Sequence, residues 1–136
     1  MLKIARLAAL AALVMLPHGA LAGPEETLNS WYTMLQSGSD ARIAGLLADD
    51  AVIILEDIGV EQSKAEFVDS LDEWKDAITG GSLEWKLKKK TSDSATATVC
   101  YRFTSGPMMV REDFTFSGDR IVKSVQKQLG SDCEKF

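Results

Sequence analysis

The fold is decided by the stretch at residues 82–127, which reads SLEWKLKKKTSDSATATVCYRFTSGPMMVREDFTFSGDRIVKSVQK. Apolar and polar residues alternate along four segments of this stretch, which is the pattern of β-strands that bury one face. Short links of turn-forming residues separate the strands at 91–93, 105–107 and 117–119. Long strands with such links predict an antiparallel meander. Its second face carries Thr, Arg and Gln, and we expect that face to meet solvent.

Two helices are predicted at the start of the domain. The first begins at Pro24, a residue suited to a first helical turn, and ends at Gly38. A second, shorter helix begins at Asp40 or Ala41. The pair Asp49-Asp50 closes it and opens a short apolar strand over residues 51–55. Apolar residues recur along the first helix at helical spacing: Leu28, Trp31, Tyr32 and Leu35.

A third helix is predicted after a loop at residues 56–61. Ser63 and Glu66 have the spacing of a capping box, in which each side chain bonds to the backbone N–H at the other residue. Gly80 and Gly81 end this helix. The predicted order is therefore helix, helix, strand, helix and four strands, which is the α+β class with three helices packed on a curved antiparallel sheet.

Residues 1–22 have the features of a secretory signal peptide. Lys3 and Arg6 precede an apolar run at 7–16, and small residues lead up to a cut after Ala22. The run is too short to cross a membrane as a helix. We therefore expect a cleaved leader, a single domain at 23–136, a periplasmic or secreted location and no membrane attachment after cleavage.

The composition excludes several classes of function. The one histidine, His18, lies in the leader, so the mature chain lacks the residue that most acid–base and metal sites use. Losing Lys3 and Arg6 lowers the 15 basic residues to 13 against 20 acidic ones, a net charge of −7. Such a chain repels phosphate backbones, so we expect no nucleic-acid partner. No metal site and no cofactor are predicted.

The mature chain has two cysteines, Cys100 and Cys133, which are 33 residues apart. In an oxidising compartment an even number of cysteines indicates a disulfide, and two cysteines allow one pairing within the chain. Cys100 belongs to the polar face of the predicted sheet. The C-terminal tail should therefore fold back over the outside of the sheet.

The predicted order of helices and strands resembles that of the nuclear transport factor 2-like superfamily. This superfamily includes ketosteroid isomerase, scytalone dehydratase and polyketide cyclases. The resemblance covers about residues 24–129. It rests on the passages LQSG at 35–38 and IAGLLADDA at 43–51, and on the hairpin EDFTFSGDRI at 112–121. These passages are typical of the fold and of no one activity, because the fold hosts many functions.

The resemblance implies a cone-shaped fold with a pocket between the helices and the concave face of the sheet. Such a pocket suits a small, mostly apolar ligand held by a few polar groups. The alternative is that the aromatic residues simply fill the cone. The residues implied for the lining are Trp31, Tyr32, Leu55, Phe67, Trp74, Trp85, Tyr101, Glu112 and Phe114.

Comparison with ketosteroid isomerase argues against the same reaction here. That enzyme uses an Asp base with a Tyr and a protonated Asp as donors to an enolate. The resemblance places the base at Leu55, which cannot accept a proton, and the phenol at Trp31, one residue from Tyr32. The oxyanion acid corresponds to Glu112, which keeps a carboxyl group.

Glu112 is the strongest candidate for a functional residue. It alternates in step with Val110 and Phe114, so it belongs to the apolar face, where burial raises the pKa of a carboxyl group. It could serve as an acid or anchor in the pocket. It could instead pair with Arg102 or Lys123, or lie in solvent at the mouth of the cone.

Three functions remain open. The first is an exported, non-catalytic domain that binds a small apolar ligand or a protein. The second is an isomerase or lyase that uses Glu112 with Tyr32 or Tyr101. The third is an assembly module, in which two copies pair through the outer sheet face. That face would present Thr96, Thr98, Arg102 and Thr115.

Overall fold

The computed structural model describes residues 23–38 and 40–136. The expected leader, with His18 and the cut after Ala22, lies outside the described residues. No helix in the described ranges combines the length and apolarity needed to cross a membrane. The helices are α1 (Pro24–Ser37), α2 (Asp40–Leu46), α3 (Lys64–Asp69) and α4 (Leu71–Ile78), and a 3₁₀ turn spans Glu56–Ile58. The strands are β1 (Leu47–Leu55), β2 (Val60–Ser63), β3 (Ser82–Lys90), β4 (Ser94–Phe103), β5 (Gly106–Ser117) and β6 (Arg120–Gly130).

The six strands form one open sheet in the order β2-β1-β6-β5-β4-β3. Strands β3 to β6 pair antiparallel with their sequence neighbours, so the predicted meander is confirmed. Strand β1 lies parallel to β6, and β2 pairs antiparallel with β1 at the edge. The predicted α+β class, with helices on one face of a curved sheet, is likewise confirmed.

Helix α1 forms for the reasons its sequence indicates. Pro24 lies in the first turn, and Gly38 ends the helix in a left-handed conformation, φ 68°, with its N–H bonded to Met34 O. The buried residues of the helix lie on the predicted stripe and pack on the sheet. They include Leu28, Trp31, Tyr32 and Leu35.

The region between β1 and β3 differs from the prediction in two ways. The segment predicted as a loop contains the 3₁₀ turn and the start of β2. The predicted third helix is two helices, because Ser70 lies between them and its hydroxyl donates a 2.6 Å hydrogen bond to Phe67 O. Such a bond competes with the helical backbone bonds and favours a break. One half of the predicted capping box is confirmed, since Ser63 Oγ accepts from Glu66 N at 3.2 Å. The Glu66 carboxylate accepts from the Ser63 hydroxyl, also at 3.2 Å, and not from the Ser63 backbone N–H.

Strand β1 begins four residues earlier than predicted. Helix α2 ends at Leu46, and the chain enters the sheet at Leu47 rather than at Ala51. Leu47 is fully buried and pairs with Ile121 of β6, whereas Asp49 and Asp50 are exposed. The burial of Leu47 beside β6 explains why the strand starts before the two aspartates.

The predicted disulfide between Cys100 and Cys133 is confirmed. Cys100 lies on the outer face of β4, and the C-terminal tail crosses that face to reach it. The ring of Phe136 lies 4.4 Å from Lys86 Nζ, on the neighbouring strand β3. Cys100 is fully buried and Thr98 nearly so. The tail therefore covers part of the face that we predicted could pair two copies.

Candidate functional site

Glu112 lies near the centre of the sheet, on its inner face. It pairs in register with Ala97 of β4 and with Gln126 of β6. On the same face of β5, Val110 and Phe114 are buried on either side of it. The side chain of Glu112 is itself only 3% exposed. The alternation of β5 thus places a carboxyl group among apolar residues, as the sequence predicts.

Three neutral donors hold the carboxyl group of Glu112. Tyr101 Oη donates to Oε1 at 2.5 Å, and Gln126 Nε2 donates to the same oxygen at 3.1 Å. Tyr32 Oη, from α1, donates to Oε2 at 3.1 Å. The three donors come from β4, β6 and α1, so this cluster joins the sheet to the first helix.

The position of Glu112 excludes the two alternatives considered for it. It is buried, so it does not lie in solvent at the mouth of the cone. Within the described chain it forms no ion pair; Arg102 instead pairs with Glu84 at 3.4 Å on the outer face. Among the described residues, the partners of the Glu112 carboxyl group are therefore neutral donors and not a cation.

Burial has the largest effect on the pKa values of Glu112, Tyr32 and Tyr101. Loss of solvent raises the pKa of Glu112 above the ordinary value of 4.5, while the hydrogen bonds from Tyr101, Tyr32 and Gln126 act in the opposite direction. Burial also raises the pKa values of Tyr32 and Tyr101, and the nearby Glu112 charge raises them further. Both phenols thus remain protonated donors at neutral pH.

Aromatic packing fixes the two phenols. Trp85 of β3 stacks on Tyr32 with ring centroids 5.0 Å apart, and Trp74 of α4 meets Tyr101 edge to face at 5.4 Å. Trp74 is held in turn by a 2.9 Å hydrogen bond from its Nε1 to Leu35 O. The donors to Glu112 are therefore preorganised by their neighbours.

A cavity of about 420 Å³ opens between the helices and the inner face of the sheet, and Glu112 is part of its wall. Strands β1, β2, β4, β5 and β6 and helices α1, α3 and α4 contribute to it. Most of the wall is apolar, with polar groups at a few positions. The lining residues are Trp31, Leu35, Ile53, Leu55, Gln62, Phe67, Ser70, Glu73, Trp74, Ala77, Tyr101, Glu112, Ser124 and Gln126.

The residues that the family resemblance implied for the pocket divide into two groups. Six of them line this cavity: Trp31, Leu55, Phe67, Trp74, Tyr101 and Glu112. The other three are not part of its wall and pack behind it. Tyr32 contacts Glu112 and Trp85, and Phe114 is buried in the core against Trp31 and Tyr32. A role in ligand binding remains a prediction for all nine.

Sequence reasoning missed Gln126 because of a β-bulge. Strict alternation along β6 placed the glutamines on the outer face, and for Gln126 this was wrong. Phe114 pairs with Ser124, but Phe116 pairs with Ile121, so β6 has one extra residue between these pairs. A bulge of this kind changes which residues of the strand face inward. Ser124 and Gln126 consequently join Ile121 on the inner face.

The site offers no cluster for a metal ion. In the described ranges no group of three or more His, Cys, Asp or Glu side chains is placed to bind one. Leu55, where the family resemblance would place a base, contributes only an apolar side chain to the cavity. What the site can do chemically is accept hydrogen bonds at Glu112, donate them from Gln126, and surround a small molecule with aromatic rings.

Comparison with solved structures identifies this architecture. No protein-family model matches the chain, and no curated protein matches it. A protein of unknown function described as NTF-2 like, from Burkholderia xenovorans, shares 13% identity over 80% of this chain and 83% of its own, with a TM-score of 0.68. A protein with a ketosteroid isomerase-like fold from Catenulispora acidiphila, solved with trimethylamine, shares 13% identity over 81% and 90%, with a TM-score of 0.63.

An enzyme is also among the similar structures. SalBIII, an epoxide hydrolase/cyclase-like enzyme of pyran-ring formation in salinomycin, shares 13% identity over 79% of this chain and 92% of its own, with a TM-score of 0.67. Its similarity, like that of the other two proteins, concerns the fold. The described chain thus has the fold of the nuclear transport factor 2-like superfamily.

Proposed function

We propose that this chain is a non-catalytic binding domain that holds a small, mostly apolar ligand in the cavity beside Glu112. The observation that carries the proposal is a buried carboxyl group in the wall of an aromatic cavity, with its donors fixed in advance. A volume of about 420 Å³ is within the range of small-molecule sites. A fold neighbour solved in complex with trimethylamine supports small-ligand binding by this fold.

The hydrogen bonds of Glu112 favour binding over turnover. Among equally buried carboxylates, one that already accepts three hydrogen bonds is the poorer base, because each bond stabilises the charged form. The position of the family's base is Leu55, and the described residues that line the cavity include no histidine. We therefore assign Glu112 the role of a polar anchor rather than that of an acid or base.

The expected cellular location of the protein is part of the same proposal. We propose that residues 1–22 are removed, and that residues 23–136 act as one domain in the periplasm or outside the cell. The Cys100–Cys133 disulfide supports an oxidising compartment, because cytosolic reductants keep such pairs reduced. The intact mass of the exported protein tests this, since a chain that begins at Gly23 is expected and retention of residue 1 would contradict it.

A neutral fluorescent probe tests the binding function. N-phenyl-1-naphthylamine should brighten when it enters the aromatic cavity of the folded chain, and the signal should saturate at one probe per protein. Ala77→Trp should block it, because Ala77 is an exposed helical residue at the cavity wall. Ala65→Trp is the matched control on α3, away from the wall. Absence of saturable binding, or equal binding by both variants, would refute the proposal.

A further inference from the structure

The charge of the cavity points to the chemistry of its ligand. Glu112 is buried in the wall with no cation beside it among the described residues, and the exposed Glu73 lies on the α4 side of the same cavity. The described lining residues include no Lys, Arg or His. A buried carboxylate is costly unless an opposite charge compensates it, so the site favours a ligand that brings a positive charge.

The hydrogen bonds of Glu112 leave room for one more donor. An ionised carboxylate has about four acceptor positions, two on each oxygen. Oε1 accepts from both Tyr101 and Gln126, whereas Oε2 accepts from Tyr32 alone. The three neutral donors therefore leave one acceptor position unused and bring no positive charge to the carboxylate.

The aromatic wall suits the same kind of ligand. Trp31 stacks on Phe67 with centroids 5.5 Å apart, and Trp74 meets Tyr101 at 5.4 Å. All four rings line the cavity. Ring faces attract organic cations and also pack against apolar substituents. Anions are disfavoured by the same rings and by the two carboxylates.

We infer that the ligand is a small organic ammonium ion with an apolar substituent, whose positive charge compensates the Glu112 carboxylate while aromatic rings surround its apolar part. This inference rests on the proposed binding function. It is narrower than that function, because a neutral ligand would satisfy the proposed function and contradict the inference.

The test compares three soluble probes of nearly equal size: benzylammonium, benzyl alcohol and benzoate. Each competes with N-phenyl-1-naphthylamine for the cavity. Benzylammonium should bind about tenfold more tightly than benzyl alcohol, because the two differ in charge while both can donate a hydrogen bond. Benzoate should bind most weakly. If benzyl alcohol or benzoate binds as well as benzylammonium, the inference fails although the binding function stands; if no probe binds, both fail.

Two variants and a control test whether the preference for benzylammonium depends on the carboxylates of the cavity wall. Glu112→Gln should reduce the preference for benzylammonium over benzyl alcohol to nearly one, and Glu84→Gln, on the outer face, should preserve it. If Glu112→Gln does not fold, Glu73→Lys replaces it, since Glu73 is exposed on α4 and its reversal should also weaken benzylammonium binding. An unchanged preference in the variant that folds would overturn the inference.

The pH dependence provides an independent readout. Glu112 is faced by Tyr32 of α1, Tyr101 of β4 and Gln126 of β6, and by Glu73 of α4 across the cavity. Because burial raises the pKa of Glu112, its carboxyl group stays neutral to a higher pH than an exposed carboxyl group does. Benzylammonium affinity should therefore rise with pH until Glu112 is ionised, and benzyl alcohol affinity should change much less. Equal pH dependence of the two probes would contradict the ammonium assignment.

Discussion

Tyr101 Oη lies 2.5 Å from Glu112 Oε1, and both side chains are almost fully buried, at 2% and 3% exposure. The bond joins adjacent strands on the inner face and supplies a fixed donor to Glu112, the one buried carboxyl group among the described residues. Trp74 packs against the same phenol from the helical layer. This pair therefore connects the packing of the fold to the chemistry of the cavity.

Removing the phenol hydroxyl should destabilise the protein at neutral pH. Tyr101→Phe keeps the ring and its packing but leaves Glu112 with two donors instead of three. We expect the free energy of unfolding to fall by about 1–3 kcal/mol, the usual cost of removing the hydrogen-bond partner of a buried polar group. Urea denaturation measures it. Tyr32→Phe, which removes a 3.1 Å bond, should cost less, and an equal or larger loss there would contradict this ranking.

The stability of the protein should depend on the titration of Glu112. Its pKa in the folded state is raised above 4.5 by burial, so the folded state holds the proton more tightly than the unfolded state. The resulting stability is fully present below the ordinary pKa and is lost as pH rises through the raised pKa. The stability of the wild type relative to Glu112→Gln should therefore decrease from about pH 4 towards neutral pH.

Urea denaturation of both proteins across that pH range measures the difference. Glu84→Gln is the control, because Glu84 is an exposed carboxylate on the outer face. Its stability should follow that of the wild type at each pH. A constant difference between the wild type and Glu112→Gln would show that Glu112 titrates alike in the folded and unfolded states.

Gly81 should be intolerant of a side chain. A Cβ atom at this position would lie 2.4 Å from Arg102 O of β4, closer than packed atoms allow. Gly81→Ala should therefore lower the free energy of unfolding by about 1–3 kcal/mol.

Gly45→Ala is the contrasting variant, because a Cβ atom there meets no atom within 4 Å and alanine favours the helix. It should stabilise the protein by up to about 1 kcal/mol in thermal or urea unfolding; equal effects of the two variants would refute this account.

The disulfide should contribute stability without shaping the cavity. Reducing Cys100–Cys133 releases a link across 33 residues, which corresponds to roughly 3–4 kcal/mol in the chain-entropy description. Urea denaturation with and without dithiothreitol measures this loss. Binding of N-phenyl-1-naphthylamine to the reduced, still folded protein should persist, because the bond lies on the outer face of β4. Loss of probe binding while the fold remains would contradict the separation of the two faces.

The sequence predicted those parts of the structure that depend on local pattern. Alternation identified β3 to β6 and placed Glu112 on the inner face, and the spacing of Ser63 and Glu66 identified a helix start. What it missed depends on contacts between distant segments. Gln126 turned inward because β6 bulges against β5, and Leu47 joined the sheet because β6 lies beside it. Neither the bulge nor the early start of β1 can be predicted from the residues next to it in the sequence.

The same distinction applies to the site. Periodicity marked Glu112 as an acid on an apolar face, but the donors that hold it come from three separate elements. The family resemblance places the phenol at Trp31, yet Tyr32, the next residue, is the one that reaches Glu112 from α1. Whether such side chains meet depends on how the helix crosses the sheet, which spacing along the chain does not determine.

The three tryptophans permit the most direct test of ligand binding in the cavity. Trp31 and Trp74 line its wall, and Trp85 packs behind it against Tyr32. In a ¹H–¹⁵N spectrum, addition of benzylammonium should shift the indole signals of Trp31 and Trp74 in a saturable manner and leave Trp85 nearly unchanged. Shifts confined to Trp85, or no saturable shift of any indole with benzylammonium, benzyl alcohol or N-phenyl-1-naphthylamine, would contradict a ligand-binding cavity beside Glu112.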